Sequence, residues 1–220
     1  MNATAEAVTR LRVTEIFHSL QGEARFSGLP TVFVRLTGCP LRCRYCDTAY
    51  AFSGGTLMSL EEIRARVAAW PARHVTVTGG EPLAQKGCLA LMRSLCDAGY
   101  VVSLETSGAL DLSRVDPRVI KVMDLKTPGS GEAGRNLYAN LEHLSPQDQV
   151  KFVICDEHDY QWMKDMVARH ALVERCEVLA MPSHDELPAA RLAEWILADG
   201  LPVRLQIQLH KYLWGDQPGR

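Results

Sequence analysis

The chain has 220 residues, of which 47% are hydrophobic and 23% are charged, and its formal net charge is −2. Such a chain can bury one sizeable core, and its near-neutral charge gives no electrostatic reason to expect binding to nucleic acid or to a membrane surface. Every apolar run is far shorter than the ~20 residues of a membrane span, and the first ten residues lack the apolar centre of a signal peptide. We therefore expect a cytoplasmic protein.

Runs of β-branched residues predict strands, and apolar residues at helical spacing predict helices between them. The expected strands are 12–17 (as an extra strand), 31–36, 74–78, 100–105, 119–124, 149–154, 175–180 and 203–208. The expected helices are 59–70, 88–99, 158–170 and 187–200. Ser59 with Glu62 has the signature of a capping box, and Gly99 is typical of a left-handed helix end.

Repeated strand–helix units indicate a parallel sheet flanked by helices. Six or seven strands with about four long helices fall short of a full eight-unit barrel. We therefore predict an α/β fold that is an incomplete (β/α) barrel, with about six parallel strands and a reduced set of helices, forming a single domain over residues 1–220. An open doubly wound sheet is the alternative.

Four unusual polar segments each follow a predicted strand. They are the cysteine-rich stretch CPLRCRYCDT (39–48), GGEP (79–82), ETSG (105–108) and DLKTPGSG (124–131). In parallel α/β folds the loops that leave the carboxyl ends of the strands form the active face. We therefore expect these segments to converge on one site.

Three of the seven cysteines, Cys39, Cys43 and Cys46, lie within one short loop. The odd count and the tight cluster fit a metal site in a reducing compartment better than a disulfide framework. Three thiolates can bind three corners of a cubane iron–sulfur cluster and leave one iron open. The alternative is a zinc loop with a distant fourth ligand such as His18 or His210.

The spacing C-x3-C-x2-C, together with GGEP directly after a strand, resembles the radical S-adenosylmethionine (SAM) superfamily. That resemblance implies a [4Fe–4S] cluster on Cys39, Cys43 and Cys46, with SAM bound at the open iron and cleaved to a 5′-deoxyadenosyl radical. It also implies a partial or full (β/α) barrel, in agreement with the strand count.

Six segments in collinear order resemble one subfamily, the 7-carboxy-7-deazaguanine synthases: FHSLQGEARFSG (17–28), RLTGCPLRCRYCDT (35–48), TGGEP (78–82), ETSG (105–108), DLKTPGSGE (124–132) and QLHKYLWG (208–215). The resemblance implies a Mg²⁺-dependent radical ring contraction of 6-carboxy-5,6,7,8-tetrahydropterin to 7-carboxy-7-deazaguanine, with loss of ammonia, in queuosine and other 7-deazapurine biosynthesis. Many relatives read QGEG where this chain has QGEA, so Ala24 replaces a glycine.

The resemblance also implies roles for particular residues. It assigns the substrate-binding loop to Leu20, Gln21, Gly22 and Glu23, with further substrate contacts at Thr78, Gln208 and His210. Arg35, on a central strand, needs a partner if it is buried. The substrate carboxylate suits it as a bidentate partner, and a structural ion pair is the alternative.

The cofactor-facing residues implied by the resemblance are Tyr45, Cys46, Asp47, Gly80, Asp124, Leu125, Lys126 and Ser130. Thr48 matches the Mg²⁺ position, where a hydroxyl, the substrate carboxylate and waters together suit a hard cation. Asp47 supports the cofactor, supports the metal through water, or only caps the turn.

The expected partners are the pterin substrate, an electron donor such as flavodoxin, and a second copy of the chain in a homodimer that covers sheet edges. Two other functions compete with this one. The first is a radical SAM activase of a glycyl-radical enzyme, and the second is a zinc-stabilised binding module.

Overall fold

The computed structural model describes residues 9–184, 186–215, 217 and 219. Within these residues the strands are β1 (Arg10–Leu20), β2 (Pro30–Leu36), β3 (Thr56–Ser59), β4 (His74–Gly79), β5 (Val101–Thr106), β6 (Ile120–Asp124), β7 (Gln149–Ile154), β8 (Glu177–Pro182) and β9 (Arg204–Leu205). The α-helices are α1 (Leu60–Val67), α2 (Cys88–Asp97), α3 (Glu157–Arg169), α4 (Leu172–Arg175), α5 (Ala189–Asp199) and α6 (Leu209–Trp214).

The strands form one sheet in the order β3-β1-β2-β4-β5-β6-β7-β8-β9. From β2 onward every neighbouring pair in this order is parallel, whereas β1 is antiparallel to both β2 and β3. The sheet does not close, because β3 and β9 are its two edges. This confirms the predicted incomplete barrel, in which six longer parallel strands are joined by the two-residue β9.

Alternation along each strand separates the core from the barrel interior. On β4, Val75 and Val77 are fully buried in the main hydrophobic core. Thr76 and Thr78 point to the other face, where Thr78 lines a cavity. The helices pack on the apolar face, so the polar face is left to line the inside of the barrel.

Local sequence signals set several helix ends. Ser59 Oγ accepts from the Glu62 N–H at 3.1 Å, and the Glu62 carboxylate accepts from the Ser59 N–H at 2.6 Å, which confirms the predicted capping box. Gly99 has φ +88°, as expected for a left-handed residue after α2. Among the described residues, no helix is both long and apolar enough to cross a membrane.

The prediction was wrong where tertiary contacts decide the structure. The strand expected at 203–208 pairs only at Arg204–Leu205, and the chain then enters α6, which was not predicted. The α6 segment is held against the loop between β1 and β2, called here the N-terminal loop, by a hydrogen bond from the Leu209 N–H to the Gly22 carbonyl at 2.9 Å. Strand β3 was also not predicted, because it lies between the expected strand 31–36 and the start of the expected helix 59–70.

Candidate active site

The polar segments that follow the strands meet around one cavity of about 420 Å³. Its walls come from the cysteine loop after β2 and from the ends of β4, β5, β6 and β8, together with side chains of β7. The N-terminal loop completes the wall with Gln21, Gly22 and Glu23. The α6 region completes it with Gln208, His210 and Lys211. The four segments expected to converge therefore do so.

Cys39, Cys43 and Cys46 line this cavity as free, partly exposed thiols. Arg44 braces their loop, because its N–H donates to the Ser130 carbonyl at 3.0 Å and its guanidinium pairs with Glu186. Burial raises the pKa of the Cys39 and Cys43 thiols. A bound metal is therefore the natural means of holding them as thiolates.

The GGEP turn lies directly against the cysteine loop. A Cβ on Gly80 would lie 2.3 Å from the Gly38 carbonyl oxygen and 2.7 Å from Cys39 Cβ, so only glycine fits this approach. The fully buried Glu81 carboxylate accepts hydrogen bonds from the Leu83 N–H, the Thr106 hydroxyl, and both the N–H and the hydroxyl of Ser107. Glu81 therefore ties the turn after β4 to the end of β5.

Gln21 is buried in the barrel, and its side-chain amide donates to Thr76 Oγ1 at 3.1 Å and to Glu105 Oε1 at 3.2 Å. The Thr78 hydroxyl donates to the second oxygen of Glu105 at 2.9 Å. Burial and the charge of Glu23 raise the pKa of Glu105. Amide and carboxyl groups thus form a polar floor for the cavity.

Four charged side chains of alternating sign cross this floor. Lys151 Nζ lies 2.8 Å from Glu23 Oε2 and 3.8 Å from Asp124 Oδ2, and Lys126 Nζ lies 2.9 Å from Asp124 Oδ2. Burial disfavours ionisation of Glu23, but the Lys151 ammonium and the Gln208 amide outweigh it and lower the pKa of Glu23 to about 2. Glu23 is therefore an ionised acceptor in the cavity wall.

Two buried polar atoms near the cysteines have no hydrogen-bond partner among the described residues, namely Tyr45 Oη and Asp124 Oδ1. Lys126 Nζ lies 5.7 Å from the centre of the Tyr45 ring. Because leaving buried polar groups unpaired is costly, an acceptor and a hydroxyl at this place fit a ligand that carries its own polar groups. The donor set thus suits a cofactor bound beside the three thiols.

Arg35 lines the cavity and forms a cross-strand pair with Glu15. Its Nε lies 2.7 Å from Glu15 Oε1, which also accepts from the Tyr50 hydroxyl at 2.8 Å. The ion pair that we considered as the alternative for Arg35 is therefore present. The stacked rings of Phe17 and Phe33, with centroids 4.8 Å apart, give the same wall a flat apolar surface.

The α6 region closes over the N-terminal loop. A Cβ on Gly22 would lie 2.0 Å from His210 Nδ1, so glycine at this position allows the histidine ring to approach. Gln208 Nε2 donates to Glu23 Oε1 at 2.9 Å and to Asp47 Oδ2 at 3.3 Å. Gln208 and His210 therefore join the α6 region to the N-terminal loop at the cavity.

Thr48 and Asp47 sit at the rim of the cavity. The Thr48 hydroxyl donates to Asp47 Oδ1 at 3.1 Å and lies 4.0 Å from Cys46 Sγ. Asp47 also faces Lys211, whose Nζ is 3.8 Å from Asp47 Oδ2. The Thr48 hydroxyl is thus oriented by a carboxylate beside the cysteine loop.

The structure brings nearly all the predicted site residues to the cavity wall. The two exceptions are Leu125, whose buried side chain packs in the core, and Ser130, whose hydroxyl donates to the Thr127 carbonyl at 2.6 Å. Sequence reasoning did not anticipate Lys151 as a site residue, although a lysine in the apolar run QVKFVI was a usable signal. It also missed the end of β8, where Met181, Pro182 and Ser183 line the cavity.

An incomplete parallel barrel with three thiols around one open cavity defines a radical SAM protein, and the profile of the Radical SAM superfamily matches residues 33–171. A 7-carboxy-7-deazaguanine synthase of Chlorobaculum tepidum is 48% identical over 207 residues, covering 93% of this chain and 94% of the relative. The enzyme of that name from Koribacter versatilis is 42% identical over 219 residues, covering 93% and 97%. The crystal structure of QueE from Escherichia coli is similar with a TM-score of 0.75 and 26% identity, covering 91% of this chain and 95% of that one. The chain belongs to the 7-carboxy-7-deazaguanine synthase family of radical SAM enzymes.

Proposed function

We propose that this enzyme converts 6-carboxy-5,6,7,8-tetrahydropterin to 7-carboxy-7-deazaguanine with loss of ammonia, as a radical SAM lyase of queuosine and other 7-deazapurine biosynthesis. The observation that carries the proposal is the pairing, in one cavity, of three thiols with a polar floor of Gln21, Glu23 and Glu105. The relatives that bear the name of this synthase span nearly the whole chain and support it.

The floor of the cavity suits the guanidine-like edge of a pterin. Such an edge presents several N–H donors and ring acceptors, which need matched polar partners in a largely dry pocket. Glu23 is an ionised acceptor, and the amide of Gln21 supplies both a donor and an acceptor. The stacked Phe17–Phe33 pair adds an apolar surface beside a flat heterocycle.

The family requires a [4Fe–4S] cluster and SAM, which together supply a carbon radical that abstracts hydrogen when both are bound. The protein residues that would hold the cluster are Cys39, Cys43 and Cys46. For SAM, Tyr45 Oη and Asp124 Oδ1, which have no partner in the described part of the chain, offer polar partners, and Gly80 permits close backbone approach. Asp47 and Lys126 complete this wall of the cavity.

Two further roles rest on the substrate carboxylate. Arg35 would exchange part of its pairing with Glu15 for this second carboxylate, for which its guanidinium fork has further donors. The Thr48 hydroxyl would bind Mg²⁺ together with the same carboxylate and waters. Both roles would put the substrate carboxylate at the part of the cavity wall that Arg35 and the cysteine loop form.

Turnover of the reconstituted enzyme tests the proposal. The protein is purified and reconstituted under anaerobic conditions, its iron, sulfide and zinc are measured, and it is reduced with dithionite in the presence of SAM, Mg²⁺ and the carboxylated tetrahydropterin. We expect about four irons per chain and formation of 7-carboxy-7-deazaguanine. Cleavage of SAM without that product would refute the specific reaction and favour an activase. One zinc without iron or sulfide would refute every radical reading.

We also propose two macromolecular partners. An electron donor such as flavodoxin would reduce the cluster, and replacing dithionite by reduced flavodoxin should sustain turnover. A homodimer would cover sheet edges such as β3, where Leu57 is exposed. Sedimentation equilibrium should then give twice the mass of one chain, and a monomer at micromolar concentration would contradict this.

A further inference from the structure

A buried lysine in the middle of β7 contributes to the cavity but has no place in the roles assigned above. Lys151 and Val153 line the cavity, whereas Val150 and Phe152 alternate with them and lie in the hydrophobic core. The Lys151 side chain is 13% exposed. A lysine in such a position is strongly disfavoured unless its charge is paired, so its retention in an apolar strand calls for a specific partner.

The partners of Lys151 are two carboxylates from different parts of the site. Its Nζ is 2.8 Å from Glu23 Oε2, on the N-terminal loop, and 3.8 Å from Asp124 Oδ2, at the end of β6. Burial disfavours the ammonium, but Glu23 and Asp124 outweigh burial and raise the pKa of Lys151. The ammonium is therefore a fixed positive charge between the substrate-binding loop and the cofactor-facing strand.

The orientation of Glu23 depends on this contact. One Glu23 oxygen is held by Lys151 and the other accepts from Gln208 at 2.9 Å, so the carboxylate is held in place from both sides. Glu105 and Asp124 also face this part of the cavity. Without Lys151, these carboxylates would share a poorly solvated space with less compensating charge, and Glu23 would turn away or take up a proton.

We infer that Lys151 is a positioning residue for substrate specificity, and this inference rests on the proposed function. Lys151 holds Glu23 as an aligned, ionised acceptor for the guanidine-like edge of the pterin. Lys151 acts through Glu23. Its loss should therefore weaken substrate binding far more than it weakens SAM binding or cluster assembly.

The chain offers a matched control in Lys121 on the neighbouring strand β6. Lys121 is 5% exposed, and its Nζ lies 3.0 Å from Asp148, so it too is a buried lysine paired with a carboxylate. It is three residues from Asp124 and so points to the opposite face of β6, away from the cavity. Removing its charge should lower stability without changing substrate affinity.

The experiment compares wild type, Lys151→Met, Lys151→Arg and Lys121→Met as reconstituted enzymes with 6-carboxy-5,6,7,8-tetrahydropterin as the probe. We expect Lys151→Met to raise KM for the pterin by about 10-fold or more, with less than about a threefold change in Kd for SAM and an unchanged iron content. Lys151→Arg should recover much of the KM, because it keeps the charge. Lys121→Met should lower the thermal midpoint while KM stays near the wild-type value.

Three outcomes overturn the inference. If folded Lys151→Met has a pterin KM within about twofold of wild type, the inference is overturned and the proposed function is not. An equal rise in KM in Lys121→Met reduces Lys151 to a structural role. A wild-type enzyme that leaves the tetrahydropterin unchanged overturns the proposed function first, and the inference with it. If Lys151→Met does not fold, Lys151→Gln and the Lys151→Arg variant carry the same comparison of KM.

Discussion

The side-chain amide of Gln206 forms two hydrogen bonds with the backbone of Ala24, which lies 182 residues earlier in the chain. The Ala24 N–H donates to Gln206 Oε1 at 2.7 Å, and the Ala24 carbonyl accepts from Gln206 Nε2 at 3.4 Å. Ala24 has φ +60°, a left-handed conformation that is unusual for alanine. The Gln206 amide thus stabilises the conformation of the turn that follows Gln21, Gly22 and Glu23.

This relationship predicts a small effect for Ala24→Gly. Glycine relieves left-handed strain of about 1–2 kcal/mol, but it adds unfolded-chain entropy of roughly 0.5–1 kcal/mol. It also removes a buried methyl group that packs near Val122 and Leu179, at a cost of about 0.8 kcal/mol. We expect urea unfolding to give a stability within about 1 kcal/mol of wild type. A gain above about 2 kcal/mol would show that backbone strain dominates.

Glu81→Gln should destabilise the turn beside the cysteine loop. The buried carboxylate accepts from Leu83, Thr106 and Ser107, and an amide has one oxygen for donors that now use two. We expect a loss of about 1–3 kcal/mol in urea unfolding and a rise of about 10-fold in Kd for SAM. As control, Glu62→Gln removes the charge from an exposed capping bond, which the amide oxygen can still accept, and should cost less than about 1 kcal/mol, with SAM affinity unchanged. Equal effects in the two variants would contradict the proposed bracing role of Glu81.

Thr48→Ala should abolish the response of product formation to Mg²⁺. The substitution removes the Thr48 hydroxyl, a hard oxygen ligand that already faces Asp47 beside the cavity. Turnover should fall about 10-fold or more while reductive cleavage of SAM continues. Thr37→Ala is the matched control, because the Thr37 hydroxyl pairs with that of Thr14 at 2.8 Å outside the cavity wall. An unchanged Mg²⁺ dependence in Thr48→Ala would exclude Thr48 as a ligand.

The acid stability of the protein should depend on Glu23. Lys151 and Gln208 hold its folded pKa at about 2, despite burial, whereas the ordinary value is 4.5. A lowered folded pKa stabilises the protein above pH 4.5, and this contribution disappears as the pH falls towards 2. Wild type should therefore exceed Glu23→Gln by on the order of 1–3 kcal/mol at pH 7, and the gap should shrink at pH 3. Urea unfolding at both values measures it, and a gap independent of pH would refute the assignment.

The sequence predicted most of the parallel strands because their signals are local. Strand β4 is a β-branched run closed by glycines, and its observed bounds differ from the expected ones by a single residue. The α6 helix was not predictable in this way, because the contacts that hold it come from Gly22 and Glu23, almost the whole chain away. Strand β3 was missed for the same reason, since its partner is the N-terminal strand β1.

The candidate site was predictable where a motif names its residues. The cysteines and the GGEP turn are examples, and both line the cavity. The ion pair of Arg35 with Glu15 depends on the register of β1 against β2, which no local pattern specifies. Lys151 was visible as a polar residue in an apolar strand, but its role depends on two carboxylates that only the folded chain brings to it.

The hydrogen bonds between Ala24 and Gln206 also depend on the order in which the parts of the cavity wall are synthesised. During translation the cysteine loop and the first parallel strands leave the ribosome before Gln206, Gln208 and His210 are made. The wall formed by the α6 region is therefore the last part of the cavity to be synthesised. The turn at Ala24 can form its two hydrogen bonds with Gln206 only when nearly all of the described chain has been made.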